Sequence, residues 1–284
     1  MQHEAIDGVV VRVRDMNDND RYLSVLTAER GRITVLSKGS RSMRGTQMGV
    51  SQLYTYANFE IYQRGSLYIL KGGSAIDPFY ALSMDIDRLN LAAYLCDLTC
   101  ELTDEGEDAT DMMRLLLNSL YAISKDLYPQ EIIKGAFELR AAILSGYAPD
   151  LGGCGGCGAT DEDYLYLDVM NGAIVCPSCL KSRGTQKYVP DAYDDIREAE
   201  VLCGLSRAAY AAFSFVAAAP ISRLFAFELS DRDDLALFAT AAETYLLSHL
   251  GHGFETLQFY RTMREPMKNG KEGLLASKQK TERE

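Results

Sequence analysis

Over the first eighty positions apolar residues recur every second residue, and beyond Pro78 they recur every third or fourth. The run from Ile6 to Arg14 ends in alternation, which puts Val9, Val11 and Val13 on one face and Arg12 and Arg14 on the other. Asn17 to Asp20 is a turn signal, Tyr22 to Thr27 reads as the returning strand, and Glu29 to Arg32 turns the chain again before Ile33 to Leu36. After a basic, glycine-punctuated loop from Lys38 to Gly49, two further strands are expected, Tyr54 to Tyr62 and Ser66 to Leu70. Five short strands in so few residues predict a small closed barrel, because closure removes the sheet's exposed edges. An OB-type barrel is the expectation, with an SH3-like barrel as the nearest rival.

Asp77 and Pro78 mark a boundary, since proline lacks an N–H and disfavours helix in the residue before it. Beyond it Leu89, Ala92, Ala93, Cys96 and Cys100 fall on one helical face, and a Gly/Asp/Glu-rich break follows at 103–108. Helices are expected over 109–126 and 130–146, with Leu115, Leu120, Ile133 and Phe137 in the core and Gly146 as a C-terminal cap. The helical pattern breaks at 150–186 and resumes over 205–218 and 231–250, the last helix with Ser230 as N-cap. The predicted fold class is therefore α+β and multidomain. A five-stranded OB-type barrel (1–79) precedes an all-α domain (80–149 and 187–265) that carries an inserted module (150–186), and 266–284 is expected to be a disordered tail.

The chain has 284 residues, 47% of them hydrophobic, enough for two modest domains with sizeable cores. No run approaches the ~18 apolar residues of a membrane span. The first residues also lack the basic flank and apolar run of a secretory signal. A soluble cytoplasmic protein with no membrane contact is expected. The net charge of -11 looks wrong for a nucleic-acid binder, but it is unevenly spread. Between 12 and 44 stand Arg12, Arg14, Arg21, Arg30, Arg32, Lys38, Arg41 and Arg44 against Asp15, Asp18, Asp20 and Glu29. Between 81 and 267 there are 14 basic residues against 29 acidic ones. A basic patch on an acidic body suggests two separate jobs.

Seven cysteines is an odd number, and four of them form two CxxC pairs, which suits metal binding in a reducing compartment. Cys154 and Cys157 are separated from Cys176 and Cys179 by 18 residues, a spacing that lets four sulfurs converge on one ion. Tyr164 to Leu167 and Ala173 to Val175 read as a hairpin around Asn171 and Gly172, which would carry the second pair back to the first. Iron could occupy the same S4 tetrahedron, but one structural zinc ion is the better expectation. With all four positions cysteine, no coordination site remains for the water of a catalytic zinc. Cys96, Cys100 and Cys203 read as small core hydrophobes.

Catalytic motifs are scarce. The three histidines are His3 at the terminus and His249 and His252 near a helix end, and there is no P-loop, HExxH or GxSxG. No catalytic residue is expected, and a metal-dependent nucleic-acid hydrolase is the weakest of the readings. The basic patch says more. Clustered Lys and Arg neutralise phosphates, and the aromatics that follow (Tyr54, Tyr56, Phe59, Tyr62 and Tyr68) can stack on bases or fill a small barrel's core and rim.

These residues carry a resemblance. Gly8 to Arg14, Asn19 to Arg21, Thr27 to Ile33 and Lys38 to Arg41 resemble the N-terminal region of RecO, a family of bacterial recombination mediators. The likeness continues through Gly65 to Tyr68, Asp77 to Phe79, Phe137 to Arg140, Leu144 to Pro149 and Tyr245 to Gly251, and so covers the chain to about residue 264. It implies an N-terminal OB-fold, a helical C-terminal domain and, in members with four cysteines, a zinc module. It also implies binding of single- and double-stranded DNA and annealing of complementary strands at the bacterial nucleoid. The implied partners are RecR and single-stranded-DNA-binding protein, with RecA loaded as the result. By the match of segments Arg12, Arg14, Arg21, Arg32, Lys38 and Arg41 are DNA-contact candidates, and Arg44 joins them through the basic run. The acidic helical domain departs from a uniform DNA-binding surface and favours protein contacts there. The competing expectation is a scaffold whose barrel docks a partner ring and touches DNA weakly.

Overall fold

The structure is a computed structural model and describes residues 3–40, 47–65, 67–185 and 201–264. Arg41, Arg44 and the expected tail at 266–284 lie outside the described residues. The alternating segments form β1 (His3–Asp15), β2 (Arg21–Thr27), β3 (Gly31–Ser37), β4 (Tyr56–Arg64) and β5 (Leu67–Asp77). β1 pairs with β2 and β4, β2 with β3, and β4 with β5, while β3 runs parallel to β5. The order β1-β2-β3-β5-β4 closes on itself. Closure through one parallel pair is the OB-type arrangement and excludes the SH3-like rival. β5 runs well past its expected end at Leu70, because a register shift opposite Glu60 and Ile61 bends it around the barrel.

The facing expected for β1 needs correction. A bulge between Val10 and Arg12 turns Val11 outward, so Val10 and Val13 face the barrel core, with Leu23, Val25, Ile33 and Phe59. Val9 and Val11 instead join the core of the helical domain, on the side that carries Arg12 and Arg14. The strand is thus buried on both faces, and strict alternation does not describe it.

Beyond a 3-10 turn at Tyr80–Met84, the helices are α1 (Ile86–Glu101), α2 (Thr110–Lys125), α3 (Gln130–Leu144), α4 (Pro177–Thr185), α5 (Arg207–Ala218), α6 (Arg232–Leu250) and α7 (Glu255–Arg264). α7 has no counterpart among the expected helices. α1 is buried on more than the expected face, with Leu91, Tyr94, Leu95 and Leu98 inaccessible as well. The N-cap of α6 is Asp231, not Ser230. Its carboxylate accepts from the N–H groups of Asp233 and Asp234 and adds a negative charge at the positive end of the helix. Residues 202–206, partly expected as helix, form β9 (Leu202–Ser206). With β6 (Asp150–Cys154), β7 (Tyr164–Asp168) and β8 (Ala173–Val175) it makes a second sheet of order β6-β8-β7-β9. The sheet that carries the cysteines therefore takes its fourth strand from beyond residue 186.

The barrel and the helical domain are also joined through backbone. The Arg32 N–H donates to Asp104 O (3.2 Å), the Gly106 N–H to Arg30 O (2.9 Å) and the Ala109 N–H to Ala28 O (2.7 Å). Gly31 makes this approach possible: its φ is +59°, and an added Cβ would lie 1.9 Å from Asp104 O. Gly39 has a similar φ of +67°, but a Cβ there would meet nothing within 4 Å among the described residues. Gly39→Ala should cost about 1–2 kcal/mol for the left-handed backbone alone, and Gly31→Ala should exceed that by at least ~1 kcal/mol of overpacking. Urea unfolding of the two variants measures the difference, and equal costs would show that the docking is not tight.

Candidate metal centre and nucleic-acid interface

The two cysteine pairs meet at one end of the second sheet, where the parallel strands β6 and β8 both finish. Cys154 closes β6, Cys157 follows in the next turn, Cys176 ends the loop after β8, and Cys179 sits in the first turn of α4. The expected hairpin brings them together: β7 and β8 are antiparallel, and Asn171 at their turn bonds back to Asp168. The four Sγ atoms lie within 4.8 Å of one another. Cys157 Sγ and Cys176 Sγ are 3.7 Å apart, close to the edge of ~3.8 Å that a tetrahedron with metal–sulfur bonds of ~2.3 Å requires. Backbone N–H groups point at the sulfurs, from Cys176 to Cys154 Sγ (3.3 Å) and from Cys179 to Cys176 Sγ (3.4 Å). Gly156 keeps the first knuckle tight, since a Cβ there would lie 3.0 Å from Cys179 Sγ.

The cluster shifts two of its thiols in opposite directions. Burial pushes the Cys154 thiol up, but N–H groups of Cys176, Gly156 and Cys157 outweigh it and bring the pKa down to about 6. Cys179, facing Cys157, Cys176 and Cys154, is pushed up to about 12. A thiolate forms readily at Cys154, and the neighbouring sulfurs resist a second one, a charge that a metal ion held by them would balance. The four residues fit a metal ion. They are not a peripheral appendage, because Cys154, Leu165, Leu167, Ile174 and Cys176 belong to the same core as α3, α5 and α6.

The seven basic candidates are not equivalent. On the outer face of the barrel Arg14 stands opposite Tyr22, Tyr22 opposite Leu36, Arg12 opposite Ser24, and Ser24 opposite Thr34. Arg32, opposite Leu26 on β3, joins them. Arg12, Arg32 and Arg14 come together beside the end of α1, where all three pull down the Cys100 thiol that burial pushes up. Arg12 is bound there: its guanidinium donates to Asp97 Oδ1 (2.8 Å), which holds it more firmly in the charged form. Asp97 Oδ2 in turn accepts from Thr256 of α7 (3.1 Å). Arg32 donates to Thr103 O (3.1 Å). Arg21 pairs with Asp15 (2.9 Å), at the barrel end where it lies opposite Ser37, next to Lys38. Arg14 and Lys38 are exposed and form no ion pair among the described residues. Arg41 and Arg44 lie outside the described residues.

Of the aromatics, Tyr54 and Phe59 are buried in the core, while Tyr56, Tyr62 and Tyr68 are half-buried. Tyr22, half-buried beside Arg14, is an aromatic on the basic face that the sequence pattern did not single out. Its adjacency to Arg14 follows from strand register. His249 is held by its backbone neighbour Tyr245 O (2.7 Å) and His252 by Glu101 (3.2 Å), so neither joins the cysteines. No helix among the described residues is long and apolar enough to cross a membrane.

Comparison with known proteins places these features together. The family model described as recombination protein O N terminal matches residues 1–79. The model described as recombination protein O C terminal matches residues 83–193. The DNA repair protein RecO of Acetivibrio thermocellus is 27% identical over 267 residues, covering 93% of this chain and 98% of that protein. The protein of the same name from Alkaliphilus metalliredigens is 31% identical over 173 residues, covering 61% of this chain and 70% of that one. That of Symbiobacterium thermophilum is 30% identical over 179 residues, with the same shares covered. With a barrel and a helical domain matched in order, and one relative aligned over nearly the full length, the chain belongs to the RecO family of DNA repair and recombination proteins.

Proposed function

We propose that this chain is a non-enzymatic recombination mediator of the cytoplasm that binds single- and double-stranded DNA and anneals complementary strands. In this reading it works with RecR and single-stranded-DNA-binding protein to load RecA. The observation that carries the DNA part is the convergence of Arg12, Arg14 and Arg32 on one outer face of an OB-type barrel in a RecO-family chain. Guanidinium groups on that face neutralise the phosphates of both strands, which lowers the repulsion that slows pairing. Base pairing itself supplies the sequence specificity. Cys154, Cys157, Cys176 and Cys179 hold one structural zinc ion, which ties the second sheet into the helical core and leaves no position for a reacting water.

A second reading has support of its own. Arg12 and Arg21 are already paired with carboxylates, which weakens the face as a phosphate site and favours a scaffold with slight DNA contact. Asp97 separates the two. In the mediator reading Asp97→Asn frees Arg12 and tightens DNA binding by about twofold to fivefold at low salt, while costing roughly 1 kcal/mol of stability. Arg14→Glu combined with Lys38→Glu weakens binding and flattens its dependence on the logarithm of salt by about 0.9 for each phosphate left without its cation. Fluorescence anisotropy across a salt series measures both, and unchanged affinity in both variants would leave only the scaffold.

Metal analysis of freshly purified protein is expected to give one zinc per chain. Cys176→Ser, at a buried ligand, should lower both metal content and melting temperature. Well under one ion per chain in the intact protein would refute the zinc assignment.

A further inference from the structure

In its N-terminal half, α1 leaves an apolar stripe uncovered by the core. Ile86, Leu89 and Ala93 lie three and four residues apart and share one helical face. On one side of this face, Leu89 opens into a recess of about 410 Å³ with Met48, Leu53 and Tyr80. On the other side, Ala93 and Asn90 open into a recess of about 320 Å³ with Phe259 of α7. α7 runs antiparallel to α1, from Thr256 at Asp97 to Phe259 at Asn90 and Ala93. The two recesses therefore flank one groove along α1, walled by the barrel and the 3-10 turn on one side and by α7 on the other. Its large apolar side chains stand in solvent: Tyr80 is 64% exposed, Ile86 51% and Phe259 53%. Exposed apolar residues grouped around a concave surface mark an interaction site.

Two features say what fits the groove. Asn90 is only 6% exposed, and its amide Nδ2 is buried without a hydrogen-bond partner among the described residues. Turned into the recess, this amide would donate to the carbonyl of a seated peptide, the acceptor it lacks. The charges around the groove are negative: Asp85, Asp87 and Glu255 are exposed and make no ion pair among the described residues. The nearby cations are engaged elsewhere, Arg88 with Asp126, Arg261 with Glu243 and Arg264 with Glu131.

We propose that the α1 groove is the docking site for a segment of a partner protein that carries apolar anchor side chains flanked by lysine or arginine. The anchors fill the two recesses, and the flanking cations meet Asp85, Asp87 and Glu255. Nucleic acid does not suit this surface, because its phosphates would face the same carboxylates. The docking face and the arginine face lie at opposite ends of α1, so both can be occupied at once. The site rests on the groove alone and stands whether or not the barrel binds DNA.

The test pans a random displayed-peptide library on the full chain, with counter-selection on Phe259→Asp and, separately, Tyr80→Asp. Peptides recovered on the unmodified chain should carry apolar anchors and net positive charge. Synthesised and labelled, they should bind either variant more weakly by about tenfold or more. An unchanged melting profile and DNA affinity in the variants would show that they fold. Recovery of acidic peptides, or of none that depend on Phe259 and Tyr80, would overturn the proposal. So would a concentration-dependent dimer in sedimentation that Phe259→Asp abolishes, since the occupant would then be a second copy of the chain.

Discussion

The first strand buries both of its faces, and most of the architecture depends on that. Val10 and Val13 face the barrel interior, while Val9 and Val11 pack into the core around α1. A strand buried this way cannot leave one domain without opening the other, so the barrel and the helices share a single structural fate. The bulge between Val10 and Arg12 makes the arrangement possible, because it lets one strand change its inward and outward assignments midway. The same irregularity sends Arg12 toward α1, where Asp97 receives it, and leaves Arg14 exposed one pleat further on.

Burial of this kind also decides how charge is used. The helical domain is acidic, and where it meets the barrel its carboxylates compensate barrel arginines: Asp97 holds Arg12, and Asp104 lies 4.0 Å from Arg32. At about a third exposed, the Arg12–Asp97 pair is partly screened and contributes modestly to stability. Its larger effect is on availability, since an arginine shared with a carboxylate is a weaker phosphate ligand than a free one. The metal site follows a different logic. Two of the clustered thiols are buried in the helical core, so an ion bound there would let a sheet of short strands pack without unbalanced thiolate charge.

Period and turn signals carried the barrel: five strands, their order of appearance and the break at Pro78 follow from alternation and from Asn17 to Asp20 and Glu29 to Arg32. The cysteine spacing located the four-sulfur cluster because a CxxC pair is a local geometric device. What alternation could not reveal was the bulge at Val11, since three consecutive valines read equally well on either face. β9 was missed because Leu202 to Ser206 runs into an alanine-rich helix, and only pairing with β7 makes it a strand. The partners of the arginines were not legible either. Asp97 lies 85 residues from Arg12, and no local pattern links them. Phe59 is a core residue because barrel closure gives it an inside, and Tyr54 because the helical domain packs over it; both are properties of the whole fold and not of their own segment.

The central claim is that DNA lies on the outer face of β1, β2 and β3, and hydrogen exchange with and without a single-stranded oligonucleotide tests it most directly. The account predicts slowed exchange around Arg12 to Arg14, Tyr22 to Ser24 and Arg32 to Lys38, with little change along α3 and α6. Protection confined to the helices or to the cysteine sheet, with those barrel segments unchanged, would contradict it.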